Sequence, residues 1–322
     1  MTGVLWAAVA GVGFGLFQSV NRAALRGMDA YVSTFLQLLV SAVVLTVVTL
    51  GSEDLGRLAA APAWAWWSFA AAGCVHFLVG WTLLNLSQER IGAARTSPLL
   101  ATNPLFGAVI AAFTLHELPG VRALAGIALI LLGVYAVELD RLRRATRVRA
   151  GVAPDPAAAP AVRPDAAGGT ALVFGLGTAL CWAVSPILVR EGLRGLPSPL
   201  LGVTIGLVTA TGVYGLALLL HRPLTTAGVR EDRPGRRAAG SRASVAWKLA
   251  AGLLVAVSTW ARWYSVALAP VAVVLGLGLL SIPTVLAVAP LLVGRQLERV
   301  TPAVLAGSAL VVAGALVLVT GP

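Results

Sequence analysis

Leu124-Ala125-Gly126-Ile127-Ala128-Leu129, with Gly133 beyond, returns as Leu305-Ala306-Gly307-Ser308-Ala309-Leu310, with Gly314 beyond. The offset is 181 residues, and it also lays Glu117 on Glu298. A second pair, Arg22-Ala23-Ala24-Leu25-Arg26-Gly27 and Arg190-Glu191-Gly192-Leu193-Arg194-Gly195, is offset by 168. One such match in a chain rich in Ala, Leu and Gly says little. Two, in the same order and bracketing the same number of apolar runs, indicate an internal duplication of the kind transporters carry.

Working outward from these segments, the apolar runs read as ten spans: 3–21, 31–50, 64–86, 94–115, 121–138, 170–189, 198–220, 246–267, 270–294 and 302–320. Each approaches the roughly 20 residues a helix needs to cross the hydrocarbon core. Pro62 and the tryptophans Trp64, Trp66 and Trp67 set the start of the third span, since Trp collects at the membrane interface. Ala269-Pro270 is the expected break in the long uncharged run 263–294. The chain therefore divides into residues 1–140, a basic Pro/Ala-rich linker 141–168, expected to be disordered, and residues 169–322. Five spans per copy is odd, so the second copy enters the membrane with the opposite orientation. The fold class expected is all-α integral membrane, with ten transmembrane helices as two inverted five-helix repeats.

Composition agrees. Of 322 residues, 58% are hydrophobic and 11% charged, with a mean hydropathy of +0.88; soluble domains carry about 25% charged residues. The formal charge of +11 is concentrated. Residues 141–168 hold six Arg and two Asp, and residues 221–246 hold six Arg, one Glu and one Asp, so each stretch is +4. Both lie between apolar spans without interleaved aromatics, which reads as loops kept in the cytosol and not as a nucleic-acid surface. Loops and helix ends following spans 1, 3, 5, 7 and 9 carry 19 of the 24 Lys and Arg residues. The expected location is the cell (inner) membrane, multi-pass, with both long basic loops cytosolic. The N-terminus has no basic n-region or small-residue cleavage site and reads as the first helix.

The residues Pro104, Glu117, Gly126 and Gly133, with Pro283, Glu298, Gly307 and Gly314 in the second copy, resemble the drug/metabolite transporter superfamily in its ten-helix EamA-like branch. That resemblance covers nearly the whole chain. It implies two five-helix halves around a central cavity and movement of small organic solutes. Two departures stand out. Where many relatives carry an arginine in the second helix, this chain reads Phe35-Leu36-Gln37-Leu38-Leu39, with no evident substitute. The familiar tryptophan-glycine pair of the first helix is absent, and Trp182-Ala183 only partly echoes it.

Polar groups inside a membrane face protein or a water-filled cavity, because lipid cannot satisfy them. At helical spacing, Gly11, Gly15, Gln18 and Arg22 share one face of the first span. Thr96, Asn103 and Gly107 share a face of the fourth, Thr178, Trp182 and Ser185 one of the sixth, and Ser258, Arg262 and Ser265 one of the eighth. The small residues on such faces also serve close packing. Arg262 reads as the one permanently charged side chain well inside a span. It either snorkels to the interface or faces a cavity as a grip for carboxylate or phosphate, with Trp260, Trp263 and Tyr264 nearby. His76 reads as a proton relay or a satisfied core histidine. The substrate-cavity candidates are Gln18, His76, Asn103, Trp182, Ser185, Ser258, Arg262 and Ser281.

All 13 acidic residues fall outside the middles of the spans. A buried carboxylate for exporting lipophilic cations is thus missing, which favours a neutral, zwitterionic or anionic small molecule. Glu117 and Glu298 read as anchors of helix turns. Cys74 and Cys181 lie inside spans and make neither a disulfide scaffold nor a zinc site. No phosphate-cradling Gly-x4-Gly-Lys motif, metal motif or nucleophile constellation appears, so no catalytic residue, metal or cofactor is expected. A secondary transporter or exporter of a small organic metabolite, working by alternating access as a monomer or homodimer in the lipid bilayer, is the leading expectation. The rival is a membrane-embedded scaffold or accessory protein on a transporter-like fold.

Overall fold

The computed structural model describes residues 2–26, 28–115, 121–149, 167–220, 242–269, 271–295 and 298–319. These are helical throughout, with no strand among the described residues. In chain order the helices are α1 (Thr2–Ala24), α2 (Ala30–Ser52), the single turn and a half α3 (Gly56–Ala60), α4 (Ala63–Ile91), α5 (Ala93–Leu100), α6 (Asn103–Leu115), α7 (Val121–Arg149), α8 (Ala167–Gly195), α9 (Pro199–Leu220), α10 (Arg242–Leu268), α11 (Val271–Gly278), α12 (Ser281–Val293) and α13 (Pro302–Val319).

Local chemistry sets the boundaries. Asp29 caps α2, its carboxylate accepting from the backbone N–H groups of Tyr31 (2.9 Å) and Val32 (3.1 Å). Pro62 precedes α4, whose Trp64, Trp66 and Trp67 are all exposed at its first turn, as expected for interfacial anchors. Gly92 separates α4 from α5 with φ +82°, a left-handed conformation that favours glycine.

Seven helical stretches among the described residues are long and apolar enough to cross a membrane: Thr2–Ala24, Ala30–Ser52, Ala63–Ile91, Gly169–Gly195, Pro199–Leu220, Arg242–Leu268 and Val274–Val293. Four of the ten sequence-predicted spans look different. The fourth, 94–115, is split into α5 and α6 at Ala101–Thr102, just before Asn103-Pro104, where the proline lacks the N–H that would continue the helix. The fifth and tenth are present as the shorter apolar stretches Leu124–Val137 and Pro302–Val317. The ninth is split as well, at Leu279–Leu280, before Ser281-Ile282-Pro283. The predicted linker also begins later than its charge suggested, because α7 continues through Arg149. Residues 150–166, most of the 221–246 loop, and Glu117 lie outside the described residues.

Exposed and buried faces are inverted relative to a soluble protein. Leu5, Val47, Leu50, Trp67, Leu219 and Leu291 are exposed, whereas Gln18, Asn21, Thr34, Gln37, Asn85, Gln88 and Lys248 are buried. This is the arrangement a bilayer demands.

Small residues let the helices approach. α1 runs antiparallel to α10: Gly3 lies on Leu268 and Ala269, Trp6 meets Trp260 (5.1 Å) and Tyr264 (5.6 Å), Gly13 abuts Ser258, and Asn21 reaches Lys248. The other side of α1 rests on α11 and α12, with Gly11 against Leu277 and Gly15 against Ser281 and Thr284. The glycine face read from the sequence is thus occupied by packing. α7 and α13 cross antiparallel through reciprocal glycines. A Cβ on Gly133 would strike the carbonyl of Gly307, one on Gly307 the carbonyl of Gly133, and one on Gly314 the carbonyl of Gly126. Such backbone-to-backbone approach drives association where water is absent.

Candidate functional site

The middle of the bundle is where α1, α4, α8 and α10 meet, and aromatic rings fill it. Within α4 the helix widens to a π-helical stretch, Cys74–Gly80, a distortion that recurs at functional sites. His76 sits on it. Its ring stacks on Trp182 of α8 (5.4 Å, 14° between planes) and meets Phe77 edge-on (4.9 Å). The series closes on itself through Phe77–Trp81 (4.9 Å), Trp81–Phe17 (6.3 Å), Phe17–Phe14 (6.4 Å) and Phe14–Trp182 (5.7 Å). Trp263 of α10 stacks on Phe77 (5.8 Å) and Phe69 (5.9 Å). An apolar cleft of about 490 Å³ lies to one side, between α2, α4 and α9, with Tyr31, Leu78, Thr82, Leu83 and Tyr214 in its walls.

Polar atoms in this aromatic centre are short of partners. His76 Nδ1 pairs with Ser185 Oγ at 2.7 Å. Its Nε2 is buried and unpartnered among the described residues, as are Trp81 Nε1, Trp182 Nε1 and Arg262 Nη2. Arg262 is 6% exposed. It is buried against α11, with Nη1 3.6 Å from where a Cβ on Gly278 would stand, and so does not snorkel. Placing a guanidinium at the end of α11 sets it against the negative end of a helix dipole, yet leaves donors over. Indole N–H and guanidinium are donors without any acceptor capacity. Three of these four unpartnered atoms can only donate, so the centre holds more donors than acceptors.

The candidates read from the sequence therefore separate. His76, Trp182 and Ser185 form one contact group, and Arg262 lies within electrostatic range of His76. Asn103 is buried at the break between α5 and α6 with an unpartnered Oδ1. Ser281 stands at the break before α12, half-buried against Gly15. Ser258 donates to the Leu254 carbonyl (2.6 Å) and abuts Gly13, which is a packing role. Gln18 belongs elsewhere, accepting from Gln88 Nε2 at 3.4 Å.

That second location was not legible in the sequence. Lys248, on the second turn of α10, is 0% exposed, a buried basic side chain besides Arg262. Its ammonium donates to Asn21 Oδ1 (2.5 Å) and Gln37 Oε1 (2.7 Å). Asn21 Nδ2 donates onward to Asn85 Oδ1 (2.6 Å) and Gln88 Oε1 (2.9 Å), and Asn85 Nδ2 to Thr34 Oγ1 (2.7 Å). Gln37 of α2 thus meets a basic side chain from α10. Counting would have flagged the residue, since Lys248 is the only lysine among 24 basic side chains.

Below this network an ion pair closes the same end. Arg22 Nε donates to Glu298 Oε1 at 2.8 Å. The Glu298 carboxylate also accepts from the backbone N–H groups of Ala93 (3.2 Å) and Ala94 (2.9 Å), at the start of α5. A Cβ on Gly92 would collide with this carboxylate. Glu298 therefore anchors a helix turn, and a negative group at a helix N-terminus is favourable.

Known proteins place this architecture. One solved crystal structure, titled only as that of a protein, is similar over 97% of this chain and 96% of its own, with a TM-score of 0.58 at 19% identity; the likeness is one of fold. No curated protein matches. The chain is a multi-pass membrane protein, and over residues 1–139 it matches the EamA-like transporter family.

Proposed function

We propose that the chain is a secondary transporter that moves a small organic metabolite, neutral, zwitterionic or anionic, by alternating access between two inverted five-helix halves. The observation that carries this reading is the surplus of buried donors at the junction of α1, α4, α8 and α10. Arg262 Nη2, Trp81 Nε1 and Trp182 Nε1 are left without acceptors in a region walled by aromatic rings. A carboxylate, phosphate or carbonyl of a cargo supplies the missing acceptor, and the rings supply apolar walls. Burying polar groups unpaired costs free energy, so the arrangement makes sense as one half of a complex.

Several features support the inverted repeat behind the mechanism. Phe14 and Trp182 are 168 residues apart, the offset of the first sequence match, and they touch. The glycine contacts Gly133–Gly307 and Gly126–Gly314 map onto each other under the offset of 181, as contacts beside a two-fold axis do. The fourth and ninth spans are interrupted at corresponding places, before Asn103-Pro104 and Ser281-Ile282-Pro283. Interrupted helices in matching positions of two halves point to the substrate site of a transporter.

The decisive experiment is solute flux in proteoliposomes made with the purified protein, scanning a pool of small metabolites by mass spectrometry. Accumulation of one class above protein-free vesicles is the expected result; no flux of any solute would overturn the reading. Orientation is tested separately. The charge distribution puts the 141–168 linker in the cytosol and both termini outside. A single cysteine placed at Ala158 should then resist a membrane-impermeant maleimide in intact cells and label after permeabilisation. Ready labelling in intact cells reverses the orientation.

A further inference from the structure

Lys248 is the only lysine of the chain, whereas 23 arginines serve every other basic position. It is fully buried, and no carboxylate pairs with it among the described residues. A cation held inside a membrane protein is costly and ordinarily finds a counter-charge. Here it is held by two neutral amide oxygens, Asn21 Oδ1 and Gln37 Oε1. Holding the helices together would need no charge at this position.

The amides are oriented for the ammonium. Asn21 turns its oxygen to Lys248 and spends its NH2 on Asn85 and Gln88. Asn85 spends its own on Thr34, whose hydroxyl donates to the Ala30 carbonyl (2.7 Å). Asn21 (α1) and Gln37 (α2) of the first half meet one side chain of the second half (α10), with Asn85 and Gln88 (α4) behind Asn21. If the halves separate at this end, the ammonium loses its ligands.

We propose that Lys248 is an oxyanion-binding group for the cargo, masked in this conformer by Asn21 and Gln37 as stand-in ligands, and that a carboxylate or phosphate replaces them when this end opens. The inference rests on the transport reading above. It adds a second cationic station on α10, fourteen residues and about 21 Å along the axis from Arg262. The compact ammonium suits this role, because it directs three donors without fixed geometry and can change partners.

The single lysine makes the test direct. Full-length protein in phosphatidylcholine nanodiscs is reductively methylated, and modification of the Lys248 peptide is followed by mass spectrometry. The buffers contain inorganic phosphate, acetate or chloride at equal ionic strength. Lys248 should react slowly in chloride and be protected by phosphate or acetate at least about fivefold, the lower end of ordinary site-to-ligand coupling. The anion that protects tells phosphate chemistry from carboxylate chemistry. Gln37→Leu, which removes one stand-in ligand, should speed methylation in chloride and tighten the protection. Equal rates in all three buffers for both wild type and Gln37→Leu, or no modification of Lys248 in any of them, overturns the proposal. Flux measured with the same purified protein in proteoliposomes separates the two readings: flux without protection rejects only the Lys248 site, and absence of flux rejects the transporter reading itself.

Discussion

Arg262→Gln is expected to lower flux of an anionic or zwitterionic solute by roughly one to two orders of magnitude, since a charge-assisted hydrogen bond contributes about 1.5–3 kcal/mol. The guanidinium is buried at 6% exposure, with Nη2 unpartnered, so its donors are free for a cargo and unavailable to lipid headgroups. Gln keeps a polar amide on a shorter side chain and removes the charge, the fork and the terminal donors. Insertion should not suffer, because taking a cation out of a span relieves roughly 2.5–3.5 kcal/mol on insertion scales. Arg262→Lys should fall between, keeping charge without bidentate geometry. Flux at the wild-type rate in Arg262→Gln would show that the arginine only closes the end of α11.

The second large effect falls on stability. Glu298→Ala removes the acceptor of Arg22 Nε, Ala93 N–H and Ala94 N–H together, and leaves Arg22, whose side chain is 15% exposed, facing an empty space. Removing one member of a buried pair costs about 3–5 kcal/mol. The thermal midpoint of the detergent-solubilised protein should fall accordingly. Glu298→Gln, which still accepts from a backbone N–H, should lose less. Arg22→Ala combined with Glu298→Ala should be less destabilising than the sum, with an interaction energy of about 0.5–3 kcal/mol. Strict additivity, or an unchanged midpoint in Glu298→Ala, would mean the carboxylate does not tie the loop after α12 to the start of α5.

These two sites also explain why the ends and the middle of the bundle have different chemistry. The end holding Arg22, Glu298, Lys248, Asn21 and Gln88 is closed by hydrogen bonds among α1, α4, α10 and the residues after α12. The middle is closed by rings, which separate without leaving polar groups unsatisfied. A polar closure at one end is a specific and reversible contact, since its hydrogen bonds can be exchanged for bonds to water.

Sequence alone determined the solvent of this protein. Long apolar runs, few charges and basic loops require a bilayer, because the backbone must satisfy itself inside each helix. The duplicated Leu-Ala-Gly-x-Ala-Leu segments further identified the glycines Gly126, Gly133, Gly307 and Gly314 that meet in the α7–α13 crossing. Helical spacing grouped Thr178, Trp182 and Ser185 on one face of the sixth span and Ser258, Arg262 and Ser265 on one face of the eighth, but left open whether Arg262 turns inward or reaches the interface. The interruptions at Ala101–Thr102 and Leu279–Leu280, and the pairing of Lys248 with Asn21 and Gln37, were decided only by the tertiary structure. Spacing reports which face of one helix a residue occupies, but not which residue of another helix stands opposite. Lys248 lies 227 positions from Asn21 and 211 from Gln37. Near the start of its helix it counted as one more loop cation, and only the packing of α10 antiparallel to α1 carries it inside.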